Sequence, residues 1–404
     1  MPFVEIETVQ FNHDPNSASH DALNLRRNAT EQVILPEWRR GFCVHPEDSP
    51  AAYALAAVGA NTVTIRASFS ASTHKLVTAE IRAVDNVVDP PGPTGCLGIL
   101  VAWLRAWLRA LFGNVLGRVA PKVVHFANGQ SGPVVFTLTH TKLATATVGT
   151  HTTEWRWQAR ATSSDPWTDI GVTRHRIYVL PDVPAEPWTQ TPFSASNTSL
   201  PWTEALDYAC DWALATRTRD EVAAAVTRRV YALGPNVVTY DCPGGGSSHY
   251  SWGGFDLSAF LDRLHGGPGN GVYVNCSDCA TITSTFANLL GADLWQSRMG
   301  WGFDLNPLLG IGSSVWQPAC GWSGFSYHEV AWTGACDVDD RVFDACLQVD
   351  GDPDPTNTPH TPLLPIDLRF GNAGDGDYRD RLATPAGRPN CDPQPSTRQR
   401  RSLS

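Results

Sequence analysis

The residues with the clearest chemical potential are a cysteine, a histidine and an aspartate in the last third of the sequence: Cys276, His328 and Asp344. A nucleophilic cysteine needs a lowered thiol pKa, a base for its proton and donors for an oxyanion. A cysteine at the start of a buried helix can have both a lowered thiol pKa and donors for an oxyanion. The free N–H groups and the helix dipole favour a thiolate there, and the same N–H groups can bind an oxyanion. The other two residues can supply the base and the group that orients it.

The segment around Cys276 indicates the start of such a helix. Residues 271–275 form a short apolar approach, after which apolar side chains recur at helical spacing until Gly291 ends the pattern. Asn275 or Ser277 can cap this helix, and Asp278 suits its first turn.

His328 and Asp344 lie in two short runs that are typical of strands, 326–332 and 341–347. Two adjacent antiparallel strands can place the imidazole beside the thiol and the carboxylate behind the imidazole. Asp344 would then fix the tautomer of His328 and stabilise the imidazolium. We therefore expect a Cys-His-Asp triad.

The pattern Cys-x-Asp-x-Ala over 276–280, apolar positions at helical spacing, and a closing Leu290-Gly291 resemble the nucleophile helix of the transglutaminase-like superfamily, whose members have a papain-like fold. A histidine strand and an apolar-Asp-Ala step follow in that family's order, 16 residues apart here. The resemblance covers about 203–350. It implies an α+β catalytic domain with Cys276 as nucleophile and His328 and Asp344 as its partners.

The same resemblance has limits. Trp332 and Phe343 can fill the aromatic positions that family members carry near the histidine and the aspartate. Residues 293–324 form a long Trp/Gly-rich insertion, and 241–253 is a candidate second one. Both are expected near the cleft, so the substrate preference of a relative does not transfer to this chain.

Other interpretations of these residues remain open at this point. Cys276 and Cys279 form a C-x2-C pair, which also suits a zinc or redox site, although no second regular pair follows. Cys279 fits a packing thiol, because the register with the family pattern favours Cys276. His249 is a weaker candidate base. Tyr250 and Trp252 are guesses for an oxyanion or cleft position.

The composition bounds the function classes. The chain has 404 residues, 42% hydrophobic and 17% charged, as expected for a folded protein of two or three domains. A net charge of −10 argues against a nucleic-acid partner. No Sec signal peptide and no clear transmembrane helix are recognisable, so we expect a cytoplasmic protein or export by another route, with its ten cysteines reduced.

The hydrophobic pattern divides the chain. We expect an N-terminal extension over 1–50, an antiparallel β-sandwich over 51–183, a catalytic domain over 188–370 and a disordered tail over 371–404. A helix over 95–119 interrupts the strand pattern. Its apolar stripe and two arginines suit packing on the sandwich, or contact with a membrane surface or a partner.

Together these features predict a cysteine-nucleophile enzyme that acts on amide bonds of a protein or peptide through a thioester, without a cofactor. The resemblance equally allows a protein transglutaminase or deamidase, including an exported toxin. An alternative of another class is a non-catalytic binding protein that uses the Trp-rich sandwich.

Overall fold

The computed structural model describes residues 4–13, 22–42, 45–58, 62–85, 114–190, 196–352 and 354–404. The chain forms two compact units. One comprises Met1–Val183 and Gln190–Thr203, and the other comprises Pro184–Thr189 and Glu204–Ser404. The protein is thus multidomain, and both units are rich in β-structure.

The first unit is built on one nine-stranded sheet with the order β2-β1-β4-β7-β6-β5-β8-β9-β3. The strands are β1 (Val4–Gln10), β2 (Trp38–Arg39), β3 (Ala51–Ala54), β4 (Thr64–Ala71), β5 (Thr78–Asp85), β6 (Arg118–His125), β7 (Val134–Thr139), β8 (Gly149–Arg160) and β9 (Thr168–Leu180). β3 runs parallel to β9, and the other neighbours are antiparallel. A short helix, α1 (Leu55–Val58), and a 3-10 turn (Leu143–Thr145) connect strands.

This sheet curls so that one half packs on the other. In β5 and β8 buried and outward positions alternate, as their period-two pattern predicts. The Trp157 ring of β8 lies 5.6 Å from Phe69 and 5.9 Å from Phe136, which project from β4 and β7. The two layers are therefore halves of one sheet, joined where β6 pairs with β7.

Two expectations for this unit change. The described residues of the range 1–50 do not form a separate extension, because β1 alternates buried residues such as Val4 and Ile6 and pairs along β4. Of the expected helix over 95–119, residues 95–113 lie outside the described residues. Its last two positions, Arg118 and Val119, are the first residues of strand β6. No helix in the described ranges is long and apolar enough to cross a membrane.

The second unit combines helices with small sheets. Its helices are α2 (Thr203–Trp212), α3 (Arg219–Tyr231), α4 (Leu257–Leu264), α5 (Cys276–Leu289) and α6 (Tyr378–Leu382), with 3-10 turns at Ala319–Gly321 and Arg388–Asn390. Its strands are β10 (Thr239–Tyr240), β11 (Tyr273–Val274), β12 (Trp295–Met299), β13 (Phe303–Asp304), β14 (Leu309–Gly310), β15 (Gly324–Phe325), β16 (His328–Trp332), β17 (Arg341–Phe343), β18 (Leu347–Asp350), β19 (Pro362–Leu363), β20 (Leu368–Arg369) and β21 (Pro393–Gln399).

A five-stranded antiparallel sheet of order β20-β17-β16-β12-β21 forms the centre of this unit. The smaller sheets are β10-β11, which is parallel, β13-β15 and β14-β18-β19.

Helix α5 packs on the sheet through β16 and β12, and α3 covers it. Every residue of α5 is buried. A helix without a solvent face must satisfy its polar side chains internally. Thr281 and Ser284 do so by donating to the carbonyl oxygens of Ser277 and Ala280, at 2.6 and 2.8 Å. The helix that carries Cys276 is therefore held on all sides.

The C-terminal segment corrects the prediction of a disordered tail over 371–404. β21 pairs with β12 at the edge of the sheet. Arg401 then reaches into the unit and donates to both carboxylate oxygens of the fully buried Glu329, at 2.7 and 3.1 Å. Composition alone indicated disorder, because it does not reveal that these arginines have buried acceptors.

We expect Arg401→Ala to lower the free energy of unfolding by about 3–5 kcal/mol, because it removes the nearest cation from the buried Glu329 carboxylate and leaves only Arg298, 3.6 Å away. Burial raises the pKa of Glu329, but Arg401 and Ser277 outweigh it and lower the pKa overall. The contribution is therefore present above the unfolded pKa and is lost as the pH falls through the folded pKa. Urea denaturation at neutral and acidic pH measures it.

Arg369→Ala is the control, since Arg369 is half-exposed and pairs with Asp377 at 2.8 Å and with exposed Asp339 at 3.7 Å, and solvent-exposed pairs contribute about 0–1 kcal/mol. The Glu329→Gln/Arg401→Ala double variant should be more stable than Arg401→Ala alone. An equal decrease in the free energy of unfolding in Arg369→Ala and Arg401→Ala would contradict this account.

Candidate active site

Cys276 is the first residue of α5, as the sequence predicts. Asn275 caps the helix by accepting from the Asp278 N–H, and the Asp278 carboxylate accepts from the Asn275 N–H in return. The N–H groups of a first helical turn have no carbonyl partner within the helix. The Cys276 N–H also donates to no other group in the described part of the chain. It is therefore available to a bound oxyanion.

The sheet brings His328 and Asp344 together. His328 begins β16, and Asp344 directly follows β17, which pairs with β16. His328 Nε2 lies 3.0 Å from Asp344 Oδ2, and both side chains are buried. An antiparallel pair of strands is thus sufficient to join two residues 16 positions apart.

Asp344 is itself held by further donors. Its Oδ1 accepts from the backbone N–H groups of Cys346 and Leu347, at 2.7 and 3.2 Å. Its Oδ2 also accepts from the Tyr378 hydroxyl, at 2.7 Å. Tyr378 was not predicted as part of the site, because it lies in the Gly/Asp-rich segment that the composition assigned to a tail. The carboxylate therefore has a fixed orientation toward His328.

These contacts decide the charge of His328. Burial alone lowers the pKa of its imidazole, but the charge and the hydrogen bond of Asp344, followed by the interaction with Cys276, raise it to about 10. Near neutral pH His328 therefore carries a proton. An imidazolium beside a thiol favours the thiolate form of that thiol.

The second ring nitrogen of His328 is not bound by Asp344. Nδ1 is buried and makes no hydrogen bond of ordinary geometry with the described residues. Cys276 nevertheless interacts with the ring closely enough to raise its pKa. Hydrogen bonds between catalytic groups are often long before a substrate binds. Nδ1 is accordingly the atom that can exchange a proton with Cys276 Sγ.

The neighbouring thiols differ from Cys276. Cys276 keeps 6% of its surface exposed, whereas Cys279 keeps 1% and Cys346 none. A hydrogen bond from Cys346 lowers the pKa of Cys279, but burial and nearby negative charges raise it overall. Burial raises the pKa of Cys346 well above its usual value. Both are inert packing thiols by this criterion.

Asp278 fixes the loop of residues 241–253 against the start of α5. Its buried carboxylate accepts from the backbone N–H groups of His249, Tyr250 and Ser251, at 2.8 to 2.9 Å. The Ser248 and Ser251 hydroxyls donate to it as well. One carboxylate thus orders both the start of α5 and the loop beside it.

A disulfide bond ties the same loop to the 293–324 insertion. Cys242 is bonded to Cys320, with their Cα atoms 5.3 Å apart. This corrects the expectation that all cysteines are reduced. The two residues are separated by 78 positions, and irregular cysteine spacing gave no signal of the pairing.

Three aromatic side chains near this disulfide, Phe325, Tyr240 and Trp322, contact one another, and one of them, Phe325, contacts His328. Phe325 stacks on His328, with ring centroids 5.4 Å apart and planes inclined by 17°. Tyr240 stacks on the Phe325 ring at 6.4 Å, and Trp322 meets Tyr240 edge-on at 6.2 Å. The sequence motifs did not single out Tyr240 or Trp322. They give the site an apolar wall.

The other residues that the sequence suggested for the site, Tyr250, Trp252 and His249, are not part of the His328–Asp344 pair. The Tyr250 hydroxyl donates to the Gly271 carbonyl oxygen at 2.5 Å, which commits its only proton and corrects its suggested role as an oxyanion donor. Trp252 is 86% exposed, and its suggested cleft role stays a prediction. His249 Nε2 lies 3.1 Å from Asp241 Oδ2, in a separate pair. Among the described residues, no three His, Cys, Asp or Glu side chains are grouped to hold a metal ion.

We expect the His328 ring to titrate near pH 10 in the wild type, which NMR of carbon-13-labelled histidine can measure. In Asp344→Asn the pKa should fall below the 6.5 of an ordinary imidazole, because burial then dominates. In Cys276→Ala it should fall less. Because the folded pKa is raised, the stabilisation from the protonated pair is full below about pH 6.5 and is lost as the pH rises through about 10.

A wild-type His328 that titrates at or below pH 6.5 would contradict this description of the pair. The same titration should be accompanied by circular dichroism, so that loss of the fold in Asp344→Asn is not mistaken for a change in pKa.

No protein-family model matches the chain, and no curated protein sequence matches it. Among solved structures, the crystal structure of red sea bream transglutaminase has a TM-score of 0.35 to this chain at 12% sequence identity. The alignment covers 80% of this chain and 50% of that one. The chain therefore spans about half the length of that transglutaminase, to which it bears a distant structural likeness.

Proposed function

We propose that the protein is a cysteine-nucleophile enzyme that acts on amide bonds of a protein or peptide substrate. One observation carries the proposal: the thiol at the start of α5 lies beside a buried imidazole whose other nitrogen is hydrogen-bonded to Asp344. Nucleophile, base and orienting acid are the three parts of a triad, and geometry rather than sequence position defines it.

The acylation step follows from these positions. The Cys276 thiolate attacks the amide carbon, so that an S–C bond forms and the carbonyl electron pair moves onto oxygen. His328 gives the Nδ1 proton to the leaving nitrogen as the C–N bond breaks. The free amine departs, and the acyl group remains on Cys276 as a thioester.

Deacylation uses the same groups in reverse. His328, now neutral, takes a proton from water as the water oxygen attacks the thioester carbon. The S–C bond breaks, and the carboxylic acid leaves. A protein amine in place of water gives a cross-link instead. When the acyl group comes from a glutamine side chain, ammonia leaves in the first step and attack of water on the thioester gives glutamate, which is deamidation. We place hydrolysis first among these outcomes, with transamidation and deamidation as alternatives of the same chemistry.

We also propose that the second unit is a transglutaminase-like domain. In support, the three motifs of the resemblance coincide with a helix start, a strand and a strand end, in the family's order. Cys276, Asp278 and Ala280 fall in the first turns of α5. The alternative of a purely binding protein does not explain why a buried imidazole is kept protonated beside a thiol.

We expect Cys276→Ala to abolish activity, because it removes the nucleophile, while Cys279→Ala retains most of it. Both variants should be mixed with casein and with peptidoglycan peptides. Ammonia release, backbone cleavage and cross-linked mass should be followed separately, since each reports a different fate of the thioester.

Full activity of Cys276→Ala in whichever assay is positive would overturn the triad assignment. Loss of activity in Cys279→Ala with retention in Cys276→Ala would move the nucleophile to the other thiol. A thermal melt of each variant separates loss of chemistry from loss of fold.

A further inference from the structure

Cys279 shares helix α5 with the proposed nucleophile, and the proposed reaction does not use it. The two cysteines occupy the first and fourth positions of the helix. Residues with this spacing lie on one face of a helix. Because Cα–Cβ bonds tilt toward the N-terminus of a helix, the Cys279 side chain leans toward Cys276.

This spacing also permits a disulfide bond. In a regular helix the Cα atoms of residues i and i+3 are about 5 Å apart, and disulfides span about 4.4–6.8 Å. Their Cβ atoms lie about 5–6 Å apart, whereas a disulfide needs about 3.5–4.5 Å, so the first turn must tighten by roughly 1–2 Å. A bond formed with such strain is readily reduced, which is typical of reversible rather than structural disulfides.

A third thiol contacts Cys279 and favours its reaction. A hydrogen bond from Cys346 lowers the pKa of Cys279, although burial and nearby negative charges raise it overall. One of those charges is the thiolate of Cys276. Oxidation of Cys276 to a neutral sulfenic acid removes that charge, so that Cys279 then loses its proton more readily.

Cys276 is the member of this group that an oxidant reaches first. It keeps 6% of its surface exposed, whereas Cys279 keeps 1% and Cys346 none. An accessible thiolate is the form that peroxides oxidise. The Cys242–Cys320 disulfide indicates that the chain meets oxidising conditions, since disulfides form and persist mainly there. An activated thiolate in such conditions is exposed to irreversible oxidation beyond the sulfenic acid.

We propose that Cys279 is a resolving thiol, which traps the sulfenic acid that a peroxide forms at Cys276 as a reversible Cys276–Cys279 disulfide. The inference rests on the proposed function for the reactivity of Cys276 and adds a protective modification to it. Burial makes Cys279 inert toward reagents in solution, but a sulfenic acid on the same helix face does not have to enter from solvent. The enzyme is inactive until a dithiol reduces the bond.

The two steps consume one peroxide and two thiols. The Cys276 thiolate attacks one oxygen of hydrogen peroxide, so that an S–O bond forms, the O–O bond breaks and hydroxide leaves as water after taking a proton. Cys276 loses two electrons, and the peroxide gains them. The Cys279 sulfur then gives up its proton and attacks the Cys276 sulfur. The S–S bond forms, the S–O bond breaks, and the departing hydroxide takes that proton as a second water.

Peptide mapping of the oxidised wild type tests the bond directly. The protein is treated with hydrogen peroxide at neutral pH, denatured, alkylated with iodoacetamide and digested with trypsin without reduction. Cys276 and Cys279 fall in one tryptic peptide, 264–298, and Cys346 falls in another, 342–369. We expect peptide 264–298 to carry no alkylation and to be lighter by two hydrogens, with Cys346 alkylated.

Reversibility is measured on the native protein. Peroxide should abolish the rapid iodoacetamide alkylation of wild-type Cys276, and brief dithiothreitol treatment should restore it fully. In Cys279→Ala the same peroxide should carry Cys276 to sulfinic and sulfonic acids, so that dithiothreitol restores little. Cys336→Ala is the matched control, because Cys336 is also a buried free thiol but lies between β16 and β17, and it should behave as the wild type.

The wild type given dithiothreitol alone is the reference, because this reductant also acts on the Cys242–Cys320 disulfide. Should Cys279→Ala not fold in a thermal melt, Cys279→Ser takes its place with the same expected result. If neither variant folds, the wild-type peptide map decides.

Cys276 that peroxide leaves unmodified, or converts to sulfinic acid while Cys279 stays free, overturns the inference and leaves the proposed function intact. A bond between peptides 264–298 and 342–369 overturns it as well, because Cys346 would then be a member of the disulfide. Equal recovery in Cys279→Ala and the wild type has the same consequence. If Cys276 of the untreated wild type shows no rapid alkylation, the proposed function fails, and the inference fails with it.

Discussion

Burial opposes a positive charge on His328, and the carboxylate of Asp344 opposes the effect of burial. The balance favours the proton, since the pKa of the imidazole is raised to about 10. It depends on the position of the Asp344 carboxylate, which the Cys346 and Leu347 N–H groups and the Tyr378 hydroxyl fix. The protonated imidazole beside Cys276 is thus a consequence of the whole Asp344 environment.

Two more buried carboxylates, Asp278 and Glu329, accept hydrogen bonds that join distant segments of the second unit. Asp278 binds the 241–253 loop to the first turn of α5, and Glu329 joins α5, through Ser277, to Arg401 near the C-terminus. Glu329 directly follows His328 on β16 and points to the opposite face of the strand. The position of Cys276 relative to His328 is therefore fixed by contacts on both faces of β16.

The sequence predicted the secondary-structure elements that carry the candidate residues better than the contacts around them. Cys276, His328 and Asp344 could be found because helix capping and strand alternation leave local patterns, and their elements are those expected. The parts that were missed depend on pairings between distant residues. Cys242 and Cys320, Arg401 and Glu329, and Tyr378 and Asp344 become neighbours only in the folded chain, and composition alone indicated free thiols and a disordered tail.

The central claim is that the His328–Asp344 pair activates Cys276. Its most direct test is iodoacetamide alkylation at neutral pH, with peptide mapping by mass spectrometry, of the wild type and of His328→Gln. The account predicts rapid, selective alkylation of Cys276 in the wild type, with the buried Cys279 and Cys346 left unmodified. In folded His328→Gln this selectivity should be lost. Uniform slow labelling of the wild-type thiols, or undiminished alkylation of Cys276 in the variant, would contradict it.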